Sequence, residues 1–369
     1  MIRFIEFLRT HSTLAIALFC VILISSLQIV GVYHADEHYQ ILEFAHTKMY
    51  DIDPSYLPWE YLKKIRSWFQ PGLYMIFFKS LAIVGIESPF KWLFALRFLN
   101  CVSFFYGMYV LYNRYKDEFI DQRLKQFFIY LTFFLWFFPF FSTRSGSETF
   151  ATIVFIFCFD LFLSKELSNK KAILIGLLFG TTFLIRFHFS ISIFFLCLWS
   201  LIFKQRSIKE LWLITLSCFT AMAIGSVIDF WGYGQWQFTL WDFYYENIVN
   251  GVAASFGTSP WWRYFYEIQK EFSPFIGIPV ISSFLYFWGR YYKHPITWVT
   301  LSFFAFHSLI SHKELRFIFP LVIFVPYVLT MFIRDVFTNV RWRMGLIILI
   351  TVVNTVYLTF TIFRPAYHG

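Results

Sequence analysis

The sequence predicts an all-α, polytopic membrane protein, and three observations carry that expectation. The 369 residues are 58% hydrophobic and include 53 Phe, far more apolar surface than a soluble core of this size can hide. Apolar runs long enough to cross a hydrocarbon layer of about 30 Å recur from one end of the chain to the other. Charged residues, 14% of the total, gather in short clusters between those runs. The chain therefore reads as a single integral membrane domain over residues 1–369, with no room for a separate soluble one. The net charge of +9 sits in these inter-span clusters, where it sets topology, so no nucleic acid is expected as a partner.

The first apolar run, residues 14–30, follows Arg3 and Arg9 and lacks a small-residue cleavage site, which makes it a retained span. Spans are expected at residues 14–31, 91–112, 126–141, 148–164, 171–185, 188–203, 210–230, 273–288, 295–311, 315–333 and 343–362. That is roughly eleven, plus or minus two. Residues 72–85 are apolar but short, and a full crossing there would invert the charge bias of every later loop; a re-entrant segment or a paired second crossing are the alternatives. Basic clusters (Arg3 and Arg9; Arg114 to Lys125; Lys165 to Lys171; Lys204 to Lys209; Arg290 and Lys293; Arg334 to Arg343) are assigned to the cytoplasm. The stretches 33–70, 142–148, 186–188, 231–272 and 312–316 then share the outer face. The mix of charge and Trp in 33–70 suits amphipathic helices on the membrane surface, and Trp231, Trp236, Trp241, Trp261 and Trp262 give 231–272 an interfacial character. Cys20, Cys101, Cys158, Cys197 and Cys218 lie inside apolar runs without paired spacing and read as buried small hydrophobes.

Chemistry concentrates on that outer face. Tyr33-His34-Ala35-Asp36-Glu37-His38-Tyr39-Gln40 stands where the first span ends. Acids this close to a span face a cavity or the interface, because a charge at the bilayer centre costs about 3 kcal/mol. Neighbours in sequence do not share a helix face, so one of Asp36 and Glu37 can act as a base on a hydroxyl while the other pairs with a cation or orients an imidazole. A solvated interfacial acid pair is the plain alternative. His34 to His38 also reads H-x-x-E-H, a zinc-protease signature that needs a third ligand, with His46, Glu60 and Glu148 as loose candidates. The turn Ser142-Thr143-Arg144-Ser145-Gly146-Ser147-Glu148 can bind phosphate through Arg144, or form a capping box between Ser145 and Glu148, or both. In His312-Lys313-Glu314-Leu315-Arg316-Phe317 the cations can receive a lipid phosphate, with His312 as donor, unless Glu314 neutralises them. Arg66 and Arg186 are further cations of the same face.

Taken in order, these stretches resemble family 22 of the glycosyltransferases, whose eukaryotic members are membrane mannosyltransferases of N-glycan precursor and GPI-anchor assembly. The resemblance rests on His34-Ala35-Asp36-Glu37, Trp59-Glu60-Tyr61 leading to Ile65-Arg66-Ser67 and Pro71, Thr143-Arg144-Ser145 to Glu148, and Leu184-Ile185-Arg186. It continues through Asp229-Phe230-Trp231-Gly232-Tyr233-Gly234-Gln235-Trp236, Asn247, Gly257-Thr258-Ser259-Pro260-Trp261-Trp262, and His312 to Phe317. It departs in the Arg-Ser-Gly-Ser of the 143–148 turn, in Leu315 after Glu314, and in length.

The resemblance implies a fold of the GT-C type and inverting transfer of a sugar, usually mannose, from a polyprenyl-phosphate donor to a hydroxyl of a glycolipid or lipid-linked oligosaccharide. It implies Asp36 as base, with Glu37 orienting His34 or a sugar hydroxyl. Arg144, His312, Lys313, Arg316 and Arg66 would hold the donor phosphate. His34, Glu148, Arg186, Asp229, Trp261 and Trp262 would contact substrate. Because the donor already carries its leaving group, no metal or other cofactor is expected. A transporter or flippase is the rival from another class, but its charges would be spread through the membrane depth. Short loops favour a bacterial inner membrane with a periplasmic site, the ER lumen being the eukaryotic equivalent.

Overall fold

Helices begin differently at the two ends of the computed structural model, which describes residues 2–28, 32 and 34–363. Tyr33 of the exit motif and residues 29–31 of the first expected span lie outside the described residues. The chain opens with α1 (Ile2–Thr10), which has no buried residue, bent by 110° from α2 (Ser12–Leu27). Short helical turns fill 35–62, followed by α3 (Phe69–Ile83) and α4 (Pro89–Tyr115). Next come α5 (Gln122–Phe134), α6 (Phe137–Ser142), α7 (Ser147–Phe162), α8 (Asn169–Ile185), α9 (Phe189–Ile202) and α10 (Ile208–Tyr233). After more short turns, α11 (Pro274–Arg290) and α12 (Pro295–Leu309) lead to a 3-10 segment, Leu315–Phe324, that continues as α13 (Val325–Val336) before α14 (Val340–Phe363). No strand occurs among the described residues.

At the basic end, α5, α8, α10, α12 and α14 start under side-chain caps from Asp121, Ser168, Ser207, His294 and Asn339, which satisfy first-turn amides. At the other end α4, α7, α9 and α11 start after Ser88, Gly146, His188 and Ser273 without such a bond. The capping box expected from Ser145 and Glu148 is therefore not formed, because Gly146 is the N-cap and Ser145 is committed to Glu37. Ion pairs knit the capped end together: Arg114 to Asp160 at 2.6 Å and Arg343 to Asp121 at 2.8 Å.

The ambiguity at 72–85 resolves through depth. Gln70 and Tyr74 near the start of α3 hydrogen-bond Ser145 O, while Asn100 in α4 reaches Arg144 O. Residues 70–74 and 100 thus lie level with the 142–148 turn, and α4 then runs on to Tyr115 at the basic end. The α3–α4 connection lies at the uncapped end, so α3 does not reach the basic end and the charge pattern keeps its alternation.

The span expected at 126–141 is broken between α5 and α6. Asn354 of α14, fully buried, bridges the break: its Oδ1 accepts from Trp136 N–H at 2.9 Å, and its Nδ2 donates to Phe134 O at 2.7 Å. A helix break inside hydrocarbon persists only where the freed backbone groups find partners. Asn354→Leu is expected to cost about 1–3 kcal/mol for each stranded group, read as a lowered melting temperature in detergent. An unchanged melting temperature would show that the break is satisfied some other way.

Among the described residues, five helical runs are long and apolar enough to span a membrane by themselves, Pro89–Glu118, Gln122–Ser142, Ile208–Tyr233, Leu315–Val336 and Val340–Phe363, and six if the bent α1–α2 pair is one span. The shorter ones pack against these. Where α8 meets α10, a Cβ on Gly176 would stand 2.2 Å from Ile214 O and one on Gly180 2.6 Å from Cys218 O, so the pair of glycines sets the close approach of the two backbones. Elsewhere phenylalanine fills the interior: Phe104 meets Phe138 and Phe141 edge-on at 5.1 and 5.7 Å.

Candidate active site

The uncapped end holds a cleft of about 540 Å³ lined by residues from four of the outer stretches together with α12. Asp36, Gln40, Glu60 and Arg66 come from 34–66, Arg186 and His188 from the break before α9, and Phe243 and Asn247 from 231–272. His307 comes from α12, and His312, Glu314, Arg316 and Phe317 from the turn after it.

Arg316 is the hub. Its Nη2 lies 2.8 Å from Asp36 Oδ2, its Nε donates to Glu314 Oε2 at 2.6 Å, and its Nη1 is 3.8 Å from Glu148 Oε1. Glu148 in turn holds Arg186 Nη2 at 2.8 Å, and the Arg316 and Arg186 guanidiniums both lie over the Phe317 ring, 5.3 and 5.6 Å from its centroid. His34 sits between carboxylates, with Nδ1 3.2 Å from Asp36 Oδ1 and Nε2 3.4 Å from Glu314 Oε2. Burial alone would raise the Asp36 carboxyl; the His34 hydrogen bond and the charges of Arg316 and Arg66 outweigh it and hold the group well below the usual carboxylate range. Glu314 is likewise lowered against its burial, through Arg316 and His312. Glu60 goes the other way. Its burial raises it more than Arg66, 4.0 Å away, and the Gln40 Nε2 donor at 2.7 Å lower it.

Residues 231–272 cover this cleft, fastened along both edges. Lys63 Nζ meets Glu246 Oε1 at 3.0 Å on one side. On the other, Ser259 N–H donates to Ser311 O at 2.8 Å, Lys313 Nζ donates to Ser259 O at 3.0 Å, and His312 Nδ1 lies 3.1 Å from Gly257 O.

The structure brings together His34, Asp36, Arg66, Glu148, Arg186, His312 and Arg316, as the sequence led one to expect, and places the remaining candidates elsewhere. Glu37 does not line the cleft; it accepts from Ser145 N–H at 3.3 Å and lines a smaller cavity that His34 also lines. Arg144 gives Nε to Phe140 O at 3.2 Å and Nη2 to Thr143 Oγ1 at 3.1 Å, keeps Nη1 buried without a partner, and lines not the main cleft but a small cavity shared with His34, Glu37, Glu148 and Arg316. Lys313 is committed to the backbone of the cover. Asp229 is a buried pin rather than an acceptor contact: it accepts from Trp68 N–H at 2.7 Å, Ser67 Oγ at 2.9 Å and Thr239 Oγ at 3.0 Å, tying α10 to both outer stretches. Trp261 and Trp262 stand 63% and 48% exposed and off the cleft.

The H-x-x-E-H reading does not assemble either. His34 faces Asp36 and Glu314, whereas His38 pairs with Glu43 at 2.8 Å, and no three metal-capable side chains converge among the described residues. Sequence reasoning missed His188, His307, Gln40 and Phe317 as cleft residues. The only signal for the two histidines was an imidazole at, or inside, an otherwise apolar run.

A model of the Alg9-like mannosyltransferase family matches residues 14–368. Among curated proteins the chain is 24% identical over 329 residues to mannosyltransferase APTG1 of Arabidopsis thaliana, covering 85% of this chain and 57% of that one. It is 28% identical over 296 residues to GPI mannosyltransferase 3 of Yarrowia lipolytica, covering 79% and 56%. With GPI alpha-1,2-mannosyltransferase 3 of Danio rerio it shares 27% over 297 residues, covering 78% and 53%. The chain thus spans little more than half the length of the curated relatives it matches. Among solved structures, ArnT from Cupriavidus metallidurans bound to undecaprenyl phosphate superposes with a TM-score of 0.58 at 11% identity, over 97% of this chain and 77% of that one. The likeness extends over the whole architecture, which is of the GT-C type expected.

Proposed function

The chain belongs to the Alg9-like mannosyltransferase family, and from that premise we propose that it transfers a mannosyl group, with inversion, from a polyprenyl-phosphate donor to a hydroxyl of a glycolipid or lipid-linked oligosaccharide acceptor. The observation that carries the reading is the pairing of Asp36 with Arg316 at 2.8 Å on the wall of a covered cleft. One carboxylate able to take a proton and one guanidinium able to hold a phosphate are already in contact there.

In the resting site Asp36 is a weak base, because Arg316 and His34 stabilise its charge. A donor phosphate competes for Arg316, with Arg66 and His312 on the same cleft wall to receive it. As Arg316 turns to the phosphate, Asp36 loses part of that stabilisation and its basicity rises, so the base is readied by the donor itself. Asp36 then removes the acceptor hydroxyl proton, the alkoxide attacks the anomeric carbon from the face opposite the phosphate, and the C–O bond to phosphate breaks. The guanidiniums stabilise the charge that grows on the leaving phosphate. Leu315 and Phe319, flanking Arg316, line an apolar crevice with Phe284, Trp288 and Phe304 that suits the start of an isoprenoid tail. By the charge rule the cleft end faces the periplasm or lumen, opposite the basic clusters.

The reading is tested by incubating nanodisc-embedded protein with polyprenyl-phosphate mannose and membrane lipid extract and following release of polyprenyl phosphate. No release with any extract overturns it. No metal enters this mechanism, so EDTA is expected to leave turnover unchanged; loss of activity restored by a divalent cation would add one.

The pH profile should follow Glu60. Its folded pKa is raised, so the neutral form persists above the ordinary carboxylate range and is lost as pH rises through the folded value. Ionised Glu60 repels a phosphate. Above the ordinary carboxylate range, kcat/KM for the donor is expected to fall as pH rises, and Glu60→Gln to flatten that limb. Asp36, with a depressed pKa, stays ionised throughout this window. A limb that survives in Glu60→Gln assigns it to another group.

A further inference from the structure

Two imidazoles of the cleft take no part in the mechanism above. His188 precedes α9, directly after the Arg186 break, and His307 lies in α12 with 1% of its surface exposed. Both line the cleft, and their rings stand 5.1 Å apart at an interplanar angle of 62°. His307 Nδ1 lies 2.8 Å from Phe303 O. A carbonyl oxygen only accepts, so Nδ1 carries the proton and Nε2 of His307 is an acceptor. That Nε2 is sealed from solvent and has no partner; the same holds for Nδ1 of the neighbouring His188. Leaving either unsatisfied away from water is unfavourable. The two nitrogens make no hydrogen bond to each other in this structure, but the adjacent rings need only a small rotation for His188 Nδ1–H to donate to His307 Nε2 and satisfy both.

We propose that His307 fixes His188 in the tautomer whose unprotonated Nε2 is offered to the cleft, where it accepts a hydrogen bond from a hydroxyl of the substrate sugar. His188 is the contact and His307 a positioning residue. The assignment rests on the sugar-transfer reading for the identity of the ligand, but the relay itself does not. Phe303, with its centroid 4.2 Å from that of His307, and Phe243 and Phe317, 5.8 and 6.3 Å from that of His188, wall the pair with apolar rings that strengthen a buried hydrogen bond. A proton on His188 Nε2 would set another positive charge beside Arg186 in the same cleft. An acceptor-only atom welcomes a hydroxyl and repels a phosphate oxygen, whereas Arg316 and Arg66, as cationic donors, favour the phosphate. The cleft is therefore polar in a directional sense, and a sugar phosphate has one favourable way round in it.

The first test needs no substrate. In nanodiscs, the ¹⁵N imidazole spectrum of the wild type is expected to contain a neutral Nδ1–H signal that disappears in His188→Gln and shifts toward the Nε2–H form in His307→Phe. A His188 signal in the Nε2–H form, or one indifferent to His307→Phe, overturns the relay. The second uses polyprenyl-phosphate mannose and lipid-extract acceptor. His188→Phe is expected to raise one substrate's KM by about ten-fold or more with a smaller change in kcat, and His188→Gln, which keeps an acceptor oxygen, to recover part of it. A raised donor KM assigns the hydroxyl to the transferred sugar, and a raised acceptor KM to the receiving one. His307→Phe should raise the same KM, and the double variant should be no worse than His188→Phe. Unchanged KM values for both substrates in an active, folded His188→Phe overturn the hydroxyl contact, and additive losses overturn the positioning role. A wild type that consumes no donor overturns the transfer reading instead, and the nitrogen spectra then judge the relay alone.

Discussion

Asp36→Asn is expected to lower kcat by about 10²- to 10⁴-fold while leaving donor affinity intact or slightly improved. The amide keeps the shape that sits 2.8 Å from Arg316 but has no lone pair basic enough to take a hydroxyl proton. Donor affinity should hold because Arg316 keeps Glu314 and Glu148 as partners and loses its strongest competitor for phosphate. Single-turnover release of polyprenyl phosphate, beside equilibrium binding of the donor, separates the two quantities. Normal turnover would move the base elsewhere. Glu60 is then next, since it lines the cleft, whereas Glu37 is turned toward Ser145.

Arg316→Met should be the most damaging single change in the molecule. Removing one partner of a buried ion pair costs about 3–5 kcal/mol, and here Asp36, Glu314 and Glu148 lose a shared cation at once. Reduced yield and a lower melting temperature are expected along with lost turnover. Arg316→Lys separates stability from chemistry. It restores charge, and with it much of the fold, but a single ammonium cannot reach Asp36 and Glu314 while also forking onto a phosphate. Turnover in Arg316→Lys is expected to stay about 10²-fold down or more in a protein that melts near the wild type. Near-normal turnover would show that Arg316 acts by charge alone and that donor geometry is set elsewhere.

Much of this site was legible in the sequence because its charged groups stand in a membrane protein, where each has few places to go. Asp36 and Glu37 divide as adjacent helical residues must, one facing the cleft and the other facing the core. Charge bias correctly gathered His34, Arg66, Arg186 and Arg316 at one end. Residue type did not reveal how many hydrogen bonds the local backbone would claim first. Lys313 looks like a phosphate ligand in a string, but carbonyls within reach absorb its donors, and Arg144 commits Nε and Nη2 within its own turn while Nη1 stays unmatched. Asp229 looks like a site acid, yet it replaces caps and turn bonds for Trp68 and Thr239. The break at Leu135 and Trp136 lacks glycine, and the proline of that run, Pro139, comes after it; its cause, Asn354, lies more than 200 residues away. His188, placed on the outer face with the 186–188 break, and His307 were not singled out because an imidazole at or in an apolar run is usually a satisfied core residue, and only the geometry shows two nitrogens without partners.

The fastenings of the cover are unequal in kind. Along the 311–313 edge they involve backbone groups, a main-chain pair at Ser259 and Ser311 and side chains onto the carbonyls of Gly257 and Ser259. Along the opposite edge the tie is ionic, and Lys63 in it is 55% exposed. Dissolved ions screen an exposed pair and leave backbone hydrogen bonds nearly untouched. Ionic strength thus acts on the Lys63–Glu246 tie and leaves the fastenings at 311–313 as they are.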